Sequence, residues 1–111
     1  MLQYQVNLIS PIKIMRSTIE LMDGGHIAVV ASMIAMIQGG LDVSTYASTK
    51  AALYSYVNSF RQELIAENRN ITLSMGCPYM IRTGMFLGFK TKLDFLFRQL
   101  EPNYVGKRLV K

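Results

Sequence analysis

The chain has 111 residues, half of them hydrophobic and 17% charged, which fits one small folded domain and excludes a disordered tail. One cysteine, Cys77, and one histidine, His26, exclude a disulfide scaffold and a zinc cage built from Cys and His. The net charge of +5 is unevenly placed: residues 1–81 carry five basic and five acidic groups, so the whole excess lies in 82–111.

Residues 3–22 read as a helix, with Val6, Ile9, Ile12, Ile14, Ile19 and Met22 mostly on one side, ended by Asp23-Gly24-Gly25. The run from His26 to Ala31 is short, β-branched and flanked by glycines. It predicts a strand buried on both faces, as in a parallel sheet. Residues 33–43 read as a loop containing Gly39-Gly40. A second helix is expected from Ser44, its N-cap, to about Asn68, with Ala47, Ala51, Tyr54, Val57, Leu64 and Ile65 on its apolar side. Asn68-Arg69-Asn70 breaks it, residues 71–75 make a second strand, and Gly76-Cys77-Pro78 stops that strand. A helix over 90–100 and another from Pro102 complete the reading.

Helix, strand, helix, strand, helix is an α/β pattern whose crossovers are long enough for parallel pairing. Two strands cannot cover their own edges, so residues 1–111 read as a single partial domain of a doubly wound sheet.

The apolar run Ile27 to Ile37 is too short to span a bilayer, and no segment reads as a cleavable signal peptide. Arg82, Lys90, Lys92, Arg98, Lys107, Arg108 and Lys111 outnumber Asp94 and Glu101. That patch suits phosphate or an anionic membrane surface, and equally a solvated helix face. No nucleic-acid recognition pattern accompanies it.

Tyr46-Ala47-Ser48-Thr49-Lys50 puts a phenol and an ammonium one helical turn apart on the same face. A phenol with a pKa of about 10 carries protons poorly at neutral pH, and a nearby cation favours its ionised form. The same spacing also describes an ordinary surface pair. Ser32 ends the first strand, and Pro78 and Thr83 follow the second, at the carboxyl ends where α/β sheets place their sites. Pro11 lies four residues after Asn7 and has no N–H, which takes the α-helical donor from the Asn7 carbonyl. A plain proline kink or an early helix start would look alike. His26 opens a strand and reads as a loop histidine rather than a catalytic one, and Cys77 reads as a small buried residue. Met33, Met36 and Met85 read as an apolar wall rather than metal ligands.

Val6-Asn7, then Gly25 to Ser32, then Tyr46-Ala-Ser-Thr-Lys50-Ala-Ala, then Cys77-Pro78-Tyr-Met-Ile-Arg-Thr83-Gly-Met-Phe86 resemble, in order, the later part of a short-chain dehydrogenase/reductase. The last segment is most similar to the retinol and hydroxysteroid dehydrogenase branch, epidermal retinol dehydrogenase-like. The resemblance implies a Rossmann-like fold and a catalytic tetrad of Asn7, Ser32, Tyr46 and Lys50. Tyr46 would be the general acid/base. Lys50 would lower the phenol pKa and bind the nicotinamide ribose, Ser32 would hold the substrate oxygen, and the Asn7 carbonyl would hold a relay water. Tyr46, Lys50, Pro78, Ile81 and Thr83 would face the NAD or NADP cofactor, and the methionine wall a lipid-like alcohol or carbonyl of retinoid or steroid type. The family also implies a homodimer through helices 3–22 and 44–68. The branch implies the endoplasmic reticulum membrane or lipid droplets, with the cytoplasm as the default otherwise and an anchor supplied from elsewhere.

Departures accompany the match. The chain has no glycine-rich turn after a strand and no selector for the adenine ribose, so the N-terminal nucleotide-binding half of the fold is absent from these residues. Tyr46 follows Ser32 by 14 residues, one more than the family spacing, and Ala35 and Tyr79 stand where glycines are usual. Two readings follow: the catalytic half of an NAD(P)-dependent oxidoreductase, or an inactive truncated fragment acting at most through helix–helix association. The chain by itself is expected to be inactive.

Overall fold

The computed structural model describes residues 1–37, 43–79, 81 and 99–110. Within them the chain order is α1 (Leu2–Tyr4), a π-helical segment (Gln5–Ile9), α2 (Ser10–Glu20), β1 (Gly25–Val30), a 3-10 turn (Met33–Ala35), α3 (Ser44–Ala66), β2 (Ile71–Gly76) and α4 (Pro102–Leu109). The first three pieces form one continuous helix over residues 2–20, close to the expected span. Pro11 has no N–H to offer the carbonyl of Asn7, and just before it the helix widens: the Ser10 N–H bonds to the Gln5 carbonyl, five residues back.

The packed stripe is Leu8, Ile12, Met15, Ile19 and Met22, whereas Val6, Ile9 and Ile14 are exposed, Ile14 by 66%. The expected stripe is corrected accordingly: the inward positions recur every three or four residues, and Val6, Ile9 and Ile14 fall off that line. In α3 the buried positions are Thr49, Leu53, Val57, Phe60 and Leu64. Ile65, expected on that side, is 62% exposed, and Ala47, Ala51 and Tyr54 are only half-buried.

The start of α3 also differs from expectation. Val43 occupies the cap position and no side chain caps the helix, so Ser44 is its first residue instead. The far end closes as read. Asn68 adopts φ +52°, the Arg69 N–H bonds to the Leu64 carbonyl at 2.9 Å, and the Asn68 N–H to the Ile65 carbonyl at 3.1 Å. Arg69 then turns its guanidinium onto the end of the first helix, donating from Nη2 to the Ile19 and Met22 carbonyls at 2.6 and 3.1 Å. One residue thus follows the end of one helix and adds a charge-assisted donor to carbonyls at the end of another. Gly25, at φ +131°, makes the turn into β1, and a Cβ there would come 3.0 Å from the Met22 Cε.

β1 and β2 pair in parallel, in register from Gly25 opposite Ile71 to Val30 opposite Gly76, with α3 as the crossover. Val29, Ile71 and Leu73 pack against Met15, Ile19, Leu53, Val57, Phe60 and Leu64. Both long helices therefore cover the same face. On the other face His26, Ala28 and Val30 are exposed, Val30 by 46%. The expectation of a first strand buried on both faces is corrected: its apolar run is continuous, but its burial alternates. The Leu109 side chain reaches the sheet at its far end, where a Cβ on Gly76 would come 2.5 Å from the Leu109 Cδ2.

Residues 33–43 are not simply a loop, since they begin with a 3-10 turn. Helix α4 starts at Pro102 as expected, and Ile81 adds a single parallel bridge to Leu100. The expected helix over 90–100 and the Gly39-Gly40 turn lie outside the described residues, apart from Gln99 and Leu100.

Candidate active site

The carboxyl ends of β1 and β2 are laced together beyond the strands. The Ala31 N–H donates to the Gly76 carbonyl at 2.8 Å and the Met33 N–H to the Pro78 carbonyl at 3.0 Å. This fixes Ser32 beside the segment that follows β2. Ser32 itself is extended, at φ −160° and ψ 148°, and its Oγ accepts a 3.4 Å bond from the Ile34 N–H at the start of the 3-10 turn. Its hydroxyl hydrogen remains available to a further acceptor.

Tyr46 and Lys50 lie in the first two turns of α3, both half-buried. The Lys50 Nζ stands 5.8 Å from the centroid of the Tyr46 ring and donates a long 3.4 Å bond to the Val30 carbonyl, two residues before Ser32. Burial pushes the Lys50 pKa below the ordinary lysine range by disfavouring the charged form. A partly desolvated ammonium held by one long bond is a ready donor for a hydroxyl-bearing ligand. The tail of β1 and the head of α3 therefore share one charged group.

Asn7 reaches this cluster through an intermediary absent from the expected set. Its Nδ2 donates to the Thr49 Oγ1 at 3.3 Å, and the Thr49 hydroxyl donates to the Tyr46 carbonyl at 2.7 Å. Thr49 is fully buried, with 0% exposure, and is the one buried polar residue among those described. Its signal in the sequence was a β-branched hydroxyl in mid-helix, where intrinsic propensity disfavours it.

The remaining expected positions divide. Pro78 belongs to the cluster through its carbonyl, whereas Ile81 is tied to Leu100. Thr83 and Met85 lie outside the described residues. Met36 is exposed and Met33 half-buried. His26 shares a 2.7 Å hydrogen bond with the Ser74 Oγ on the open face of the sheet, in the strands rather than beyond their carboxyl ends. Cys77 is half-buried, and burial raises its thiol pKa. No group of His, Cys, Asp or Glu among the described residues could hold a metal ion.

The parallel sheet and its flanking helices define a segment of a Rossmann-type α/β fold. The family model described as short chain dehydrogenase matches residues 2–93, and the chain belongs to that family, in its retinol dehydrogenase branch. It is 31% identical over 87 residues to short-chain dehydrogenase/reductase family 16C member 6 of Bos taurus, covering 78% of this chain and 27% of that protein. It is 30% identical over 90 residues to human epidermal retinol dehydrogenase 2, covering 80% and 29%. To rat retinol dehydrogenase 10 it is 31% identical over 90 residues, covering 78% and 26%.

Among solved structures, a short chain dehydrogenase from Burkholderia cenocepacia in complex with NADP superposes with a TM-score of 0.77 at 22% identity. That match covers 96% of this chain and 43% of the other, and it supports the fold alone. The chain thus spans under a third of the length of these curated relatives. No helix among the described residues is long and apolar enough to cross a membrane.

Proposed function

We propose that residues 1–111 form the catalytic half of an NAD(P)-dependent oxidoreductase that interconverts an alcohol and a carbonyl on a lipid-like substrate of retinoid or steroid type. One observation carries this reading: the Lys50 ammonium sits beside the Tyr46 ring while reaching the last carbonyl of β1, next to Ser32. In this reading Tyr46 gives or takes the proton of the substrate oxygen. Ser32 donates its free hydroxyl hydrogen to that oxygen and holds it in place. Lys50 supplies positive charge next to the phenol, and its ammonium protons also suit the hydroxyls of a ribose. The carbonyl of Asn7, without an N–H from Pro11, holds a water that connects Lys50 to solvent.

The Lys50 ammonium at the end of β1, the Tyr46 ring beside it and the backbone about Pro78 after β2 support this as the place for the nicotinamide end of the cofactor, and by family resemblance Ile81 and Thr83 join them. They do not include a glycine-rich turn for the pyrophosphate. The cofactor, when bound, supplies the hydride acceptor or donor. The relatives' names support a retinoid substrate, and NAD and NADP are both compatible with the residues named.

A second association is supported by the first helix, whose Leu2, Val6 and Ile9 are exposed. We include in the proposal a homodimer through helices 3–22 and 44–68, the mode left to the chain if it acts as an inactive fragment. Location at the endoplasmic reticulum membrane or a lipid droplet follows from the same branch.

The test is a transplant. Residues 2–93 replace their counterpart in human epidermal retinol dehydrogenase 2, and the chimera is assayed for retinol oxidation with NAD and with NADP. Turnover with either cofactor supports the reading. A folded chimera without turnover contradicts it.

A further inference from the structure

Two consecutive hydroxyl residues between Tyr46 and Lys50 tie the first helix to α3. Ser48 accepts from the Tyr4 phenol at 2.8 Å and donates to the Thr45 carbonyl at 2.9 Å. Thr49 accepts from the Asn7 Nδ2 at 3.3 Å and donates to the Tyr46 carbonyl at 2.7 Å. Tyr4 and Asn7 are three residues apart, on one side of the first helix, as the two hydroxyls are neighbours on α3. The outer link is exposed and the inner one buried, so the inner one is the firmer.

We infer that Thr49 is a positioning residue, one that sets the turn of Asn7 against the turn carrying Tyr46 and Lys50. The inference rests on the proposed roles of Tyr46 and Lys50 and names what holds them. Thr49 touches no reacting atom. Its hydroxyl uses its hydrogen on the Tyr46 carbonyl and a lone pair on Asn7, so one group is shared between a helix that has left α-helical register and the helix that carries the phenol.

A hydroxyl bonded to a carbonyl three residues back competes with the helix's own hydrogen bonds and tends to bend it. In the interior of α3 that competition is a local cost, offset here by the cross-helix bond. The turn under that competition is the one that starts at Tyr46. Valine at position 49 would fill the same space and lose both bonds, leaving the half-buried Asn7 amide without its acceptor. Serine would keep both.

The test uses the full 111-residue chain with labelled Asn, Tyr and Lys side chains in nuclear magnetic resonance. In the wild type and in Thr49→Ser, the Asn7 side-chain amide is expected to exchange slowly with water and the Lys50 methylenes to show an Overhauser contact to the Tyr46 ring. In Thr49→Val, amide exchange is expected to speed up at least about tenfold and the ring contact to weaken by half or more. Asn7→Ala removes the link from its less buried side and is expected to weaken the ring contact equally, which keeps the idea testable if Thr49→Val does not fold. Wild-type exchange and ring contact in Thr49→Val, or an unchanged ring contact in Asn7→Ala, would overturn it. So would a Thr49→Ser chain as disturbed as Thr49→Val. Neither readout requires turnover, so failure here is separate from failure of the Tyr46 assignment, which Tyr46→Phe tests.

Discussion

The Lys50 ammonium lies 5.8 Å from the centroid of the Tyr46 ring, half withdrawn from water. That position has a thermodynamic consequence apart from any reaction. Burial lowers the Lys50 pKa in the folded chain, so the unfolded chain binds the proton more tightly. Protonated Lys50 therefore costs stability at neutral pH. The cost fades as pH rises from the lowered folded value to the ordinary lysine value of about 10.4. Lys50→Met is expected to raise the melting temperature at pH 7, with the gap closing as pH rises to the ordinary lysine range. Thermal melts of both chains across that range check it.

Leu53 is 1% exposed and packs between α3 and the sheet, so Leu53→Ala should cost about 2–5 kcal/mol. Ile65→Ala, on the exposed side of the same helix, should stay within about 0.5 kcal/mol. Urea denaturation of the two variants, compared with wild type, reads the difference directly. Equal effects would mean that the buried face of α3 has been misassigned.

Arg69→Met should cost about 1.5–3 kcal/mol, because the Ile19 and Met22 carbonyls lose charge-assisted donors at a helix end. Arg69→Lys should recover part of that loss, since a lysine reaches one carbonyl more readily than two. Amide exchange at the end of α2 should report the loss locally. By contrast, the Arg16–Glu63 pair at 3.3 Å has both side chains about half exposed, and breaking it should matter little.

The 111-residue chain alone is expected to bind neither NADH nor NADPH at micromolar concentration. Dinucleotide pyrophosphates are held by backbone N–H groups at a glycine-rich helix start, which these residues lack. Calorimetric titration with each cofactor checks this, and micromolar binding would contradict it.

How far the sequence foretold the molecule depends on which force decided each feature. The parallel β–α–β unit was legible because Gly24-Gly25 open the short β-branched run and Asn68 is suited to left-handed backbone. Tyr46 and Lys50 were legible because a four-residue spacing on a helix fixes their shared face. The inward face of the first helix was only partly legible, because its apolar residues run round more than one side and the rest of the fold covers just one of them. The one-sided burial of β1 was hidden as well: a continuous apolar run does not say which of its faces a helix will cover. Thr49 was passed over because its value lies in a bond to Asn7, 42 residues away in sequence, which no local pattern displays.

Steady-state kinetics of Tyr46→Phe, in the chimera that carries residues 2–93, reads out the proton-transfer role of Tyr46. The substitution keeps the ring and removes only the exchangeable proton. General acid–base catalysis by that group is worth about 10²–10⁴ in rate. The account predicts a kcat for retinol oxidation lowered by about that factor, with cofactor affinity within about twofold of the parent chimera. A Tyr46→Phe chimera turning over within about tenfold of its parent would show that the proton travels through another group, and the assignment of Tyr46 would be withdrawn.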